Sequence, residues 1–240
     1  MSRDWSRRQA KERANERGRL GGLIIALTIA GLSARASAQV VSPPAGYANL
    51  KITLRMYNSG ISRSLLVRAG GEAASILSQA GLEPVWVDCP LTPAESEGYA
   101  ACQSPMGPAD FAIKILTARE ADQFSSYHEA MGQALECARN EVGCSAYIFY
   151  RDVLELARDG DAAEYQLLGH AIAHEIGHLL LGPNSHSAAG LMRRKWNDRD
   201  LETIARGYLF FTDAQSKHIR SQVSARNTIR QDQVASAEKP

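Results

Sequence analysis

In His174-Glu175-Ile176-Gly177-His178, two histidines stand four positions apart, with a glutamate directly after the first. On an α-helix such residues lie about 40° apart around the axis and one turn along it, so both imidazoles reach one side. Two nitrogens placed this way can share one metal ion at roughly 2.0–2.1 Å. Glu175 can then take a proton from water on that ion instead of ligating it. A catalytic metal needs a third protein ligand and an open position. His186 is the nearest candidate. In Gly182-Pro183-Asn184-Ser185-His186 the glycine supplies the backbone freedom to turn the chain back toward the metal. The rival is a carboxylate from farther on, Glu202 in Asp200-Leu201-Glu202. Asp198, Asp200 and Glu202 also fit the first turn of a helix, where the dipole favours negative charge. His170, one turn before His174, is a further 5.4 Å along the axis and cannot reach the same ion, so it reads as a supporting residue. His128 and His218 have no spacing signal and read as solvated.

His-Glu-x-x-His on a helix is the pattern of zinc peptidases. Six residues beyond His186 comes Gly190-Leu191-Met192. Over residues 174–192 the chain resembles the metzincins, whose pattern is H-E-x-x-H-x-x-G-x-x-H followed by a methionine-containing turn. Here the run is H-E-x-x-H-x-x-x-G-x-x-x-H, one residue longer on each side of the glycine. The resemblance implies one catalytic Zn2+ on His174, His178 and His186, with Glu175 as general base. It also implies Met192 packed in the turn beneath the metal, and a peptide or protein substrate cut at a peptide bond. A gluzincin-like arrangement would instead make Glu202 the third ligand. A non-catalytic zinc-stabilised binding module is the reading from another class, and Glu175 speaks against it because a structural zinc has no use for a base. Arg193-Arg194-Lys195-Trp196 follows the turn, either as a solvated charge run or as a rim that attracts carboxylate-bearing substrate.

The elements that must position these residues are legible in part. Leu50 to Met56 alternates apolar and polar and predicts a strand with one buried face. Ser62 caps a helix carrying Leu65, Leu66, Ala69, Ala73, Ile76 and Leu77, stopped at Gly81. Pro84 to Val87, Phe111 to Leu116 and Ser145 to Tyr150 read as short strands. Asp161-Ala162-Ala163-Glu164 has the form of a capping box for the histidine helix, which Gly182-Pro183 ends. Asn197 and Thr212 suit the caps of two later helices, and from about Ser224 the polar sequence predicts a loose tail. The fold class expected is α/β (α+β): a mixed sheet with helices, then a small helical C-terminal part without strands.

The chain has 240 residues, 45% hydrophobic and 22% charged, which excludes wholesale disorder. Its net charge of +1 argues against a nucleic-acid protein working through a bulk positive field. Residues 1–38 hold eight of the 27 Lys+Arg and three of the 26 Asp+Glu, leaving 19 basic against 23 acidic residues in the rest. The basic character therefore belongs to the N-terminus. There, seven basic residues from Arg3 to Arg19, the apolar run Leu20 to Leu32, and Ala36-Ser37-Ala38 form the three parts of a secretory signal. The run is too short for a comfortable bilayer span of about 20 residues, and no stable span remains after cleavage. An exported chain, periplasmic or extracellular, is expected, with a signal peptide over 1–38 and one domain over 39–225. Within it an N-subdomain covers about 48–182 and a C-subdomain about 183–225, followed by a flexible tail over 226–240. Cys89, Cys102, Cys137 and Cys144 allow three pairings, and nearness in sequence favours Cys89–Cys102 and Cys137–Cys144.

Overall fold

The structure is a computed structural model, and it describes residues 50–92, 98–123, 130–135 and 142–237. The expected signal peptide, His128 and Cys137 lie outside the described residues. Alternation in the first segment produces β1 (Leu50–Asn58), with Ile52, Leu54 and Met56 buried on one face. Helix α1 (Arg63–Gln79) follows, capped as expected by Ser62, whose hydroxyl accepts from the Leu65 N–H at 3.3 Å. It returns the chain so that β2 (Leu82–Cys89) lies parallel to β1, Leu54 opposite Trp86. After the short helix α2 (Ala100–Gln103), β3 (Asp110–Leu116) joins the other side of β1, also parallel.

Next come α3 (Ala118–Ala121), β4 (Gly132–Ala134), β5 (Ser145–Phe149) and α4 (Tyr150–Asp159). Strand β5 pairs parallel with β3, and β4 adds antiparallel to β5, giving a mixed five-stranded sheet in the order β2-β1-β3-β5-β4. The fold is α/β, and seven helices are present among the described residues. Pro84 sits in β2, an edge strand, where a missing N–H is tolerated.

The histidines lie on α5 (Glu164–Leu181). Thirteen of its 18 residues are buried, so it is apolar nearly all round and runs through the core. One face of the sheet packs on α1 and α5, and the shared core includes Ile113, Ile148, Ala73, Leu168 and Ile172. Each of the leucine and isoleucine side chains contributes roughly 1.5–3 kcal/mol by leaving water. The cap of α5 differs from expectation. The N-cap is Ala163, and Gln166 Oε1 accepts from its N–H at 3.0 Å, so Gln166 does the reaching back, not Glu164. Gln166 also donates to the carbonyls of Ile204 and Ala205, an attachment that the D-x-x-E pattern could not indicate.

Beyond α5 only helices follow among the described residues: α6 (Asp198–Ala205) and α7 (Asp213–Ala237). Asn197 and Asp200 cap α6 reciprocally at 3.0 Å, and Thr212 accepts from the Gln215 N–H at 3.3 Å. The tail expected from residue 226 is helical as far as Ala237. Arg226 is the physical reason. It follows Ile219 and Val223 at helical spacing on the buried side, and its guanidinium donates to the Pro108 carbonyl at 2.8 Å. The two expected subdomains share one hydrophobic core, which runs from Ile52 to Val223.

A disulfide closes the loop after β2. Cys89 and Cys102 are bonded to each other, as sequence proximity suggested. Cys144 is also disulfide-bonded, its expected partner being outside the described residues. No described helix is long and apolar enough to cross a membrane.

Candidate metal centre

Helix α5 ends at Gly182, whose φ of +89° is open to glycine at little cost. The chain there reverses, and His186 returns to face the helix it has just left. His178 Nε2 lies 3.1 Å from His174 Nε2 and 3.2 Å from His186 Nε2. All three ligand atoms fall within 4.8 Å of one another. A tetrahedral ion bound at roughly 2.0–2.1 Å holds its nitrogens about 3.3–3.4 Å apart, so the spacing fits a single ion.

The other ring nitrogens orient the two helical imidazoles. His174 Nδ1 lies 2.8 Å from the Leu191 carbonyl, so Nδ1 carries the hydrogen and Nε2 keeps its lone pair. His178 Nδ1 lies 2.9 Å from Ser185 Oγ. The outward nitrogens of His174 and His178 are thus held by the chain while the three Nε2 atoms converge, an arrangement that suits a cation. Burial pushes His174 down to about 4. Burial first, then the neighbouring histidines, pushes His178 down to about 3. His186, exposed, is lowered by burial and then by the charge of Arg194. All three rings are therefore neutral at pH 7, the form that binds metal.

The turn after His186 supports the helix from below. Met192 is fully buried, and a Cβ built on Gly177 would lie 2.5 Å from its sulfur and 2.8 Å from Phe211 Cε1. The thioether therefore packs against bare backbone between the two helical histidines. Trp196 Nε1 donates to the same Leu191 carbonyl at 3.1 Å, and its ring stands edge-on to His174 at 6.0 Å. One carbonyl thus ties ligand, turn and tryptophan together.

Glu175 points elsewhere. It is 5% exposed, and burial pushes its carboxyl up to about 8, against a lowering backbone hydrogen bond from Ala134. A Cβ on Gly132 would meet Glu175 Cγ at 2.6 Å, so β4 can lie against the glutamate only because residue 132 has no side chain. Glu175, the three histidines and β4 line one cavity of about 490 Å³. Sequence reasoning found the histidines and Glu175 but missed Gly132 and Ala134. A three-residue strand has no periodicity to detect.

The other acids lie apart from this cluster. Glu202 faces Arg206 at 3.5 Å on the exposed side of α6, and Asp200 holds the α6 cap and Arg193. His170 is fully buried, its Nδ1 2.8 Å from the Gln166 carbonyl, and it does not join the three histidines. His218 is exposed on α7 beside Gln222.

Together these features define an α/β protein with a three-histidine cluster that can hold a metal ion. No protein-family model matches the chain, and no curated protein matches it. Among solved structures, the solution structure of TM1509 from Thermotoga maritima is similar at a TM-score of 0.30 and 13% identity, over 75% of this chain and 93% of that one.

Proposed function

We propose that this chain is an exported zinc metallopeptidase of metzincin-like build, hydrolysing peptide bonds with Glu175 as general base. The observation that carries the reading is one cavity holding three convergent imidazole nitrogens and a buried carboxylate that stands outside the ligand set. Structural zinc sites close with four protein ligands, whereas catalytic sites keep three and an open position. Zinc held by His174, His178 and His186 would polarise the scissile carbonyl and bring the pKa of its water toward about 7.

Glu175 supplies the proton transfer. Burial raises its pKa and a neighbouring cation lowers it, so the carboxyl is poised to take a proton and return it to the leaving amine. Strand β4 ends the sheet beside this carboxyl, and an edge strand can pair with an extended peptide. The substrate backbone is thereby laid across the cavity. The buried Met192 sulfur under Gly177 supports the metzincin-like reading of the turn. Export is supported by the Cys89–Cys102 disulfide, since such bonds persist in oxidising compartments.

Glu175→Gln tests the assignment. The variant keeps near-normal zinc stoichiometry while peptide hydrolysis falls by about 10²–10⁴-fold. Metal analysis and a peptide-library digest, with and without chelator, read both quantities. Loss of zinc from Glu175→Gln would make the carboxylate a ligand and overturn its role. A zinc-loaded wild type that cleaves nothing would move the protein to a non-catalytic zinc-binding module.

A further inference from the structure

We propose that Trp196 is a positioning residue for the metal site, acting through the Leu191 carbonyl to hold the His174 ring with Nε2 toward the ion. The inference rests on the three-histidine zinc site of the reading above, not on its peptide substrate.

His174 takes its orientation from one backbone oxygen. Its Nδ1 lies 2.8 Å from the Leu191 carbonyl, 17 residues on in the chain. A ring turned over about its Cβ–Cγ bond would put carbon where Nε2 now faces His178, and the carbonyl would lose its donor. That oxygen must therefore be held in place. The peptide planes on either side of it are fixed by backbone bonds. The Leu191 N–H donates to the Phe210 carbonyl at 2.9 Å, and the Met192 carbonyl accepts from the Ser187 N–H at 2.9 Å. The Arg193 N–H donates to the Gly190 carbonyl at 3.2 Å and closes the turn.

The plane between them carries the Leu191 carbonyl, and side chains bond to it. A peptide oxygen has two lone pairs. His174 takes one, and the indole N–H of Trp196 donates to the same oxygen at 3.1 Å. His174 cannot by itself fix the group that fixes it, so the indole is the outside reference. Trp196 is itself held. It is buried, and its ring stands edge-on to His170 at 6.1 Å and to His174 at 6.0 Å. Asn197, the next residue, caps α6, and its N–H donates to Asp200 at 3.0 Å. His178 is oriented by another group, the Ser185 hydroxyl at 2.9 Å from its Nδ1. Loss of the indole N–H should therefore reach one helical histidine and spare the other.

The test removes the N–H and keeps the bulk. Trp196→Phe lacks the donor, and so does a full chain in which benzothiophene replaces the Trp196 indole. Zinc affinity is read by competition with a chromophoric chelator. The His174 tautomer is read by long-range proton–nitrogen NMR on metal-free protein, assigned against His174→Gln. Both altered chains are expected to bind zinc about tenfold more weakly, the lower end of the roughly 10–100-fold that loss of an outer hydrogen-bond partner costs. In wild type the His174 hydrogen sits on Nδ1, and in the altered chains a form with the hydrogen on Nε2 joins it. The His178 signals stay as they were. Trp86→Phe, on β2, should change neither readout. The benzothiophene chain, which keeps the indole's shape, decides the question if Trp196→Phe does not fold.

A lower denaturant midpoint with zinc affinity and tautomer unchanged overturns the proposal, because Trp196 then only fills the core. Weaker zinc binding with the His174 tautomer unchanged also overturns it, since the effect would not pass through the carbonyl. So does a shifted tautomer with full zinc affinity. Failure of the zinc reading looks different: wild type binds no zinc, while the tautomer still shifts when the indole N–H is removed. Absence of both zinc binding and tautomer shift overturns both.

Discussion

Two buried polar clusters stand on opposite faces of the sheet, and their bonding differs. Arg55 follows Leu54 on β1 and so points away from the α1–α5 core. It is 5% exposed, and it donates to the carbonyls of Cys102, Ser104 and Pro105 at 2.7–3.2 Å and pairs with Asp110 at 3.5 Å. Asp110 in turn accepts from the Gly107 N–H at 2.8 Å. The chain itself answers this charge through Arg55 Nη1 and Nη2, leaving Arg55 Nε and Asp110 Oδ1 without a partner, and the outcome is an anchor for the segment that follows the Cys89–Cys102 disulfide. The outer nitrogens of His174 and His178 are held by the chain, while the inner nitrogens of all three histidines meet only one another. A buried polar group answered by its own backbone serves the fold. One whose free valence meets only its own kind awaits something from outside.

The sharpest way to break this contrast is to remove the third histidine. His186→Ala should weaken zinc binding on the order of 10³-fold, one ligand's share of the roughly 10–16 kcal/mol that protein zinc sites reach. Glu202→Ala should leave affinity intact, and equilibrium dialysis against zinc reads both variants. The reverse result would move the third ligand to α6.

Arg55→Ala should act on the other half of the comparison. It strands Asp110 in a buried site and should destabilise the fold by about 3–5 kcal/mol, seen as a lower denaturant midpoint. Zinc affinity of the folded fraction should not change. A variant that lost metal as well would mean that the two clusters are coupled.

Acid gives the least selective effect. His170 is pushed down to about 4 by burial, from an ordinary 6.5. The unfolded chain therefore takes up the proton first. Stability is fully present above pH 6.5 and is lost as pH falls through about 4, with a cost on the order of 2–3 kcal/mol from His170 alone. The lowered His174 and His178 add to the slope in metal-free protein. Denaturant midpoints of metal-free protein between pH 7 and 4 should fall monotonically, and a flat profile would contradict the burial of these rings.

Local chemistry made part of this molecule legible in advance. Ser62, Asn197 and Thr212 cap the helices expected of them because a cap is a contact between residues three apart. The parallel strands declared themselves through apolar content, and the helical histidines through their spacing. What stayed hidden depends on contacts between distant segments. Helix α4 was not foreseen, and Tyr150 at its start read as the end of a strand. The three residues of β4 matter only because Glu175 lies against them, and residues 226–237 are helical in a segment that opens with Arg226 bonded to Pro108. No pattern within either segment names its partner.

The contact between Gly177 and Met192 bears on how sequences related to this one can be found. Any side chain at position 177 would enter the space of the sulfur and of Phe211 beneath it. In this fold the working signature is then narrower than two histidines flanking a glutamate and two free positions. The second free position is fixed as glycine and paired with a methionine fifteen residues on. A search that requires both would discard most chance matches to the five-residue pattern. It would retain chains whose turn is built to hold a thioether under the helix.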